Sequence, residues 1–240
     1  IDSLDFKVNG EKVKWQFLNE QIDISELHLT KSLKPGDSII ITTPFRVKIP
    51  SGKFSRLGHI GQSYQITQWF AKPAVFDKNG WHPMSYLDQG EFFSEFGNYD
   101  VNITVPKNYV LMATGDLQNK EELEFLKEKA ELTSQLIKEN KLAVRDSLGR
   151  KDMSFPKSSV EKKTLRFIQK NVHDFAWFTD KRYHVLKGEV NVNNRKITSW
   201  ALFTNNEVKL WRRSIEYIND ATRYFSKWVG EYPYLSLIHI

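Results

Sequence analysis

Cysteine is absent from all 240 positions of this chain, which excludes disulfides, thiolate zinc sites and a cysteine nucleophile. Long apolar runs are missing too. No window approaches about 18 consecutive apolar residues, the length that a membrane-crossing helix needs. The chain starts at Ile1 without an initiator Met, a basic leader or an apolar leader core, the expected look of a piece of a longer gene product. Charge of one sign is scarce outside a single segment: the whole net excess of +6 falls between Lys138 and Lys170. That segment lacks interleaved stacking aromatics, so a solvated face is expected there and nucleic-acid binding is not. Hydrophobic residues at 40% and charged residues at 27% describe a globular chain long enough to bury a core.

Catalytic signatures are equally sparse. H-E-x-x-H, which would set two imidazoles on one helical face with a Glu beside them, does not occur. No two of His28, His59, His82, His173, His184 and His239 are four residues apart, so each is read as a turn or packing residue and no metal site is expected in this chain. G-x-S-x-G and G-x-x-x-x-G-K-[ST] are missing as well, which removes the usual serine-hydrolase and P-loop readings. Asp77-Lys78-Asn79-Gly80 followed by Asp88 resembles the start of a calcium loop, but His82 stands where that loop needs Gly, and a β-turn explains it better. Glu91 and Glu95 are either paired carboxylates of the glycosidase kind or plain surface charges. Asn102-Ile103-Thr104 fits a glycosylation acceptor but lies in the middle of an expected strand.

What the sequence does contain is β patterning. Phe6 and Val8, then Asn9-Gly10, then Val13, Trp15 and Phe17 predict a hairpin. Ser38 to Thr42 and Phe45 to Ile49 are expected strands, introduced by a Lys34-Pro35-Gly36-Asp37 turn. Val101, Ile103 and Val105 share a face, and Tyr109 to Ala113 is expected to return against them as an antiparallel pair. Residues 119–140 change to helical spacing, with Leu123, Leu126, Ala130 and Ile137 among Glu and Lys. Strands resume from Tyr183 to Trp200 around an Asn193-Asn194 turn. Thr204 and Glu207 then form a capping box for one long amphipathic helix whose stripe runs from Val208 to Trp228.

Residues 69–99 hold nine aromatics, either a sandwich core or a sugar-stacking platform. Quoted as motifs, Gln65 to Asp77 (QITQWFAKPAVFD), Gly90 to Gly97 (GEFFSEFG) and Asp100 to Val110 (DVNITVPKNYV) resemble, in this order, the amino-terminal domain of zinc-dependent aminopeptidases of the gluzincin clan, the family of aminopeptidase N and leukotriene hydrolase, most closely its bacterial members. His173 to Val185 and Phe203 to Tyr234 resemble that family's last sheet strands and the first helix of its catalytic domain.

The resemblance implies a mainly β fold: a saddle-like antiparallel β-sandwich domain over residues 1–200, with a charged helical insertion near 117–165. It implies that residues 201–240 begin a truncated, α-helical, thermolysin-like catalytic domain. The zinc, its H-E-x-x-H helix and the G-x-M-E-N-like amine-binding loop would lie beyond Tyr234, so this piece should be inactive alone and bind no zinc. Its partners would be a peptide substrate and the rest of the catalytic domain, and its location extracytoplasmic. Gly61-Gln62-Ser63-Tyr64 falls where the family places a T-Q-x-[EQ]-like strand end lining the substrate pocket: Gln62 matches, whereas Tyr64 replaces the acid or amide. Gln62 is then either a pocket residue bonding peptide groups or the substrate amine, or a structural Gln satisfied by backbone. Leu235 to Ile240 does not resemble the family's continuation and reads as an altered end. The rival reading is a non-catalytic β-sandwich module that binds carbohydrate or a protein through the aromatic segment; burial of Trp69, Phe70, Trp81 and Phe92 separates the two.

Overall fold

A computed structural model describes residues 1–18, 21–53, 56–86, 92–142 and 147–239. In chain order the first strands are β1 (Lys7–Val8), β2 (Glu11–Lys12), β3 (Lys14–Leu18), β4 (Gln21–His28), β5 (Ile41–Thr42), β6 (Gly58–Ile60), β7 (Ser63–Ile66), β8 (Val75–Asp77) and β9 (Gly80–His82). Next come β10 (Gly97–Pro106), β11 (Val110–Ala113), β12 (Asp116–Leu117), helix α1 (Lys120–Lys138), β13 (Lys162–Val172) and β14 (Trp177–Asp180). The last elements are β15 (His184–Val192), β16 (Arg195–Phe203), α2 (Val208–Trp211), α3 (Ser214–Trp228) and β17 (Ser236–His239). The fold is mainly β, built from several antiparallel sheets. Backbone contacts divide it into two units, residues 1–50 with 69–96, and residues 51–68 with 97–240.

In the first unit, β1 and β2 close around Asn9 and Gly10, both at positive φ (51° and 87°), the turn that matches a twisted hairpin, but the expected return through Trp15 and Phe17 is a separate strand, β3, paired with β4. Phe6 is buried and packs edge-on against Trp15 at 5.3 Å. The strands expected over 38–42 and 45–49 shrink to β5 and a single bridge between Asp2 and Arg46. Pro44 and Pro50 bracket the second run and offer no N–H to a ladder. The alternation persists without the ladder: Phe45, Val47 and Ile49 are half-buried while Arg46 and Lys48 are exposed. Between β8 and β9 the Asp77 carboxylate accepts the Asn79 N–H at 2.7 Å, so this stretch is the expected β-turn.

The second unit holds three sheets, ordered β10-β13-β12, β11-β14-β7-β6 and β15-β16-β17. β10 alternates as expected, with Ile103 and Val105 buried and Asn102 and Thr104 exposed. Its partner is β13, however, and not the run after Pro106; β11 pairs with β14 in another sheet. Burial explains this pairing. All four β11 residues are buried and need cover on both faces, whereas β10 keeps one wet face. β13 also starts inside the expected insertion and the basic segment. There its cations meet acids, with Lys163 on Glu122 at 2.5 Å and Arg166 on Asp100 at 2.7 Å.

α1 runs where the Leu and Ala spacing places it and buries Leu126 and Ala130. Glu121 and Glu122 sit in its first turn and Lys138 in its last, each at the end of the helix dipole that favours it. The long helix expected from Val208 to Trp228 is instead two, broken at Arg212 and Arg213. Val208 and Trp211 of α2 and Ile215 of α3 pack against one buried cluster that includes Leu186, Phe203 and Ile218, with the Trp211 ring 6.3 Å from that of Phe203. One straight rod would not keep the apolar residues of both helices seated on a twisted sheet. Half of the capping box forms: the Thr204 N–H and hydroxyl both donate to the Glu207 carboxylate, at 3.1 and 2.5 Å. β15 and β16 join through Asn193 and Asn194, both at positive φ, and β17 lies parallel to β16 along Thr198 to Ala201.

Candidate functional site

The two sequence-predicted pocket residues lie on the β6–β7 hairpin. Ile60 pairs with Ser63, which leaves Gly61 and Gln62 as a two-residue turn with positive φ at Gly61 alone (58°), the type II′ pattern. Glycine is required there twice over, because a Cβ on Gly61 would also lie 2.6 Å from Cε2 of Phe155. Gln62 is therefore carried at an exposed tip. Tyr64 follows in β7, half-buried, its ring 5.9 Å from that of His59 and 6.4 Å from that of Tyr109.

Beneath the tip sits a polar cluster. Lys181, only 7% exposed, donates from Nζ to Oε1 of Gln62, to the Pro156 carbonyl and to Oγ of Ser158, the last at 3.1 Å. Ser158 Oγ donates to the same Gln62 oxygen at 3.4 Å. The ammonium also lies 5.3 Å from the centre of the Tyr109 ring and 6.0 Å from that of Phe155. Among the described residues no carboxylate pairs with it. It is a buried cation held by neutral oxygens and ring faces, an arrangement that keeps the charge solvated without cancelling it.

Its neighbours are fully paired. Asp180 is completely buried and is clamped by Arg182, whose backbone N–H and Nε reach Oδ1 at 2.8 and 3.0 Å and whose Nη2 reaches Oδ2 at 2.6 Å. Nη1 of Arg182 donates to the Met153 carbonyl at 2.7 Å, and the guanidinium stacks 3.6 Å above Phe155. The segment from Asp152 to Ser159 is thus strapped over the cluster, anchored further by Asn205 on the Asp152 carbonyl and Asn108 on the Lys157 carbonyl. Burial pushes the hydroxyls of Tyr183 and Tyr109 above the ordinary tyrosine range, and the Asp180 charge adds to the effect at both.

Among the described residues no three of His, Asp and Glu come together to hold an ion. His184 is held by Asn205 at 2.6 Å, and burial draws its pKa below the ordinary histidine value. Glu91 and Asp88 lie outside the described residues. The aromatic segment divides: Trp69, Phe70 and Phe92 are half-buried, whereas Trp81 is 65% exposed. Trp81 and Phe76 sit 4.9 Å apart with planes tilted by 56°, so they form no flat row.

No family model and no curated protein sequence matches the chain. Solved structures do. An M1 zinc metallopeptidase from Deinococcus radiodurans superposes with a TM-score of 0.53 at 15% identity, over 98% of this chain and 44% of that one. The fold is that of M1 zinc metallopeptidases. A variant of the Deinococcus enzyme bound to a Tyr-Ser-Ala substrate gives 0.54 at 14% identity, covering 98% and 45%. A two-domain M1 zinc metallopeptidase variant bound to L-tryptophan gives 0.54 at 14%, covering 98% and 47%. The chain therefore spans less than half the length of the solved structures it matches.

Sequence reasoning missed Lys181, Asp180, Arg182, Tyr109, Phe155 and Ser158 as site residues. The triplet Asp180-Lys181-Arg182 reads as a surface turn after a strand. The one available hint was its setting, because apolar runs flank it closely on both sides.

Proposed function

We propose that this chain is the amino-terminal β-rich part of a zinc-dependent aminopeptidase, an enzyme that removes residues one at a time from peptide amino termini. The observation that carries the reading is the likeness to M1 zinc metallopeptidases along 98% of the chain, in the same segments where the quoted motifs run in order. Two of those neighbours hold a peptide and an amino acid, which supports peptides as the ligand class. Zinc would belong to the parent protein, held by residues outside this chain. Gln62 and Tyr64 would contribute one wall of the substrate pocket, with Gln62 exposed at a hairpin tip and Tyr64 rooted in the sheet.

The remainder of the catalytic domain would be the second partner. A groove of about 680 Å³ runs along α2 and α3, lined by Leu210, Trp211, Tyr217, Phe225 and Val229. Leu210 is 76% exposed and Trp228 70%, a face that calls for apolar cover. An extracytoplasmic location follows from the same reading; among the described residues no helix is long and apolar enough to cross a membrane. The test is to read the gene beyond residue 240 and assay its whole product on alanine p-nitroanilide. A continuation with H-E-x-x-H, and hydrolysis abolished by a zinc chelator, are expected. A stop codon or a frame without that motif would sink the proposal.

One observation favours the other reading, a binding module: Phe76 and Trp81 expose large rings on a β8–β9 hairpin. Their tilt argues against a carbohydrate platform and leaves a protein partner as the form this alternative takes.

A further inference from the structure

Gln62 has two faces, an acceptor oxygen and a donor nitrogen, and which one it offers a ligand depends on what holds the other. Here the geometry decides. The ammonium of Lys181 can only donate, and it sits on Gln62 together with the Ser158 hydroxyl, so the atom facing the cluster is Oε1. Nε2 lies at the other edge of the planar amide, at the exposed tip, and among the described residues it has no acceptor.

We propose that Lys181 is a positioning residue that saturates the acceptor side of Gln62 and presents only its N–H donors outward, so that Gln62 reads a carbonyl or carboxylate oxygen of the ligand and not an ammonium group. The cage around Lys181 supports this independently. Three oxygens, from Gln62, Pro156 and Ser158, with Tyr109 and Phe155 as ring walls, make a receptor for a primary ammonium. That receptor is already filled by the chain's own side chain. An incoming amine would have to displace a tethered cation that is 7% exposed, and the tether keeps the local concentration of Lys181 far above that of any free ligand. Arg182 and the strap from Asp152 to Ser159 hold the cage closed, through Met153 and Phe155.

This inference deepens the aminopeptidase reading and rests on it for the identity of the ligand, but the orientation of the amide can be tested separately. The first measurement follows the side-chain amide of Gln62 by NMR in the 240-residue chain and in Lys181→Met. A native amide as rigid as the backbone, released in Lys181→Met while the backbone spectrum is kept, is expected. A native amide as mobile as that of an ordinary surface Gln would overturn the role of Lys181, whatever the fate of the peptidase reading.

The second measurement titrates Ala-Ala-Ala amide and its N-acetylated form into the native chain and into Gln62→Glu. The substitution gives Lys181 a carboxylate partner, so folding should be kept or improved, yet it removes the donor. About tenfold weaker binding of both peptides to Gln62→Glu, with an unchanged or higher Tm, is expected. Tighter binding of the free-amine peptide alone would mean that position 62 reads ammonium, and the proposal would fall. A rigid Gln62 amide in a chain whose spectrum neither peptide perturbs would uphold the part played by Lys181 and remove the peptide pocket.

Discussion

Asp180 has no exposure to solvent, and Arg182 balances its charge through three donors of one residue. A buried pair of this kind adds little net stability over an apolar pair, but cutting it in half leaves a charge without a partner. Arg182→Met should accordingly cost about 3–5 kcal/mol, read from urea unfolding, and Arg182→Met with Asp180→Asn should recover part of that loss. Equal costs for the single and double variants would mean that stacking on Phe155, not charge, is what Arg182 supplies. His184 makes a second prediction at this scale. Burial favours its neutral form, so its folded pKa lies below the ordinary value of 6.5. Below that value the unfolded chain binds a proton that the folded chain refuses, and stability falls as pH drops through the window beneath 6.5. His184→Gln should flatten that part of the acid limb of the stability profile, and an unchanged slope would assign the acid sensitivity to other groups.

Among the elements, α3 seats closely on β15 at one glycine. A Cβ at Gly188 would lie 2.3 Å from Cγ2 of Ile215 and 3.0 Å from Oγ of Ser199, so glycine is what lets the helix seat on the sheet. Gly188→Ala should cost about 1–3 kcal/mol by overpacking, and Ile215→Ala in the same chain should relieve most of it, a non-additivity that a double-mutant cycle measures directly. Elements that close locally were legible in the sequence for the same physical reason that they fold: Asn9-Gly10 and Asn193-Asn194 dictate their hairpins, and the spacing from Leu126 to Ala130 dictates α1. Pairings set by distant partners were not. β10 finds β13 about 60 residues away because both need the same half-wet sheet, and nothing near Pro106 announces it. The candidate site divides likewise. Gln62 and Tyr64 are candidates through a motif alone, whereas Lys181 lies 119 residues from Gln62 and looks like surface charge until the fold buries it.

At the scale of the molecule, α2 and α3 turn one face to the sheet and leave another bare. Ser214, Ile218 and Thr222 are buried, while Tyr217, Phe225, Trp228 and Val229 are each more than half exposed. An apolar surface of this kind, contiguous with the groove beside β17, is larger in character than the scattered apolar residues of an ordinary monomer surface. Under the proposed function it awaits the rest of a catalytic domain, and the 240-residue chain in isolation presents it to water. Hydrophobic association near room temperature is driven by the entropy of released water and is insensitive to moderate salt. Association of the isolated chain through this face should therefore rise with protein concentration and persist at high ionic strength, although the chain carries a net charge of +6. Sedimentation velocity over a concentration series reads this directly, and Phe225→Ser with Trp228→Ser should return the chain to monomer without changing its Tm, because both side chains stand on the exposed stripe. Association that disappears in high salt would instead point to charge contacts from the basic segment. A monomer at every concentration would mean that the face is stable in water by itself, and the apolar argument for a covering domain would be lost.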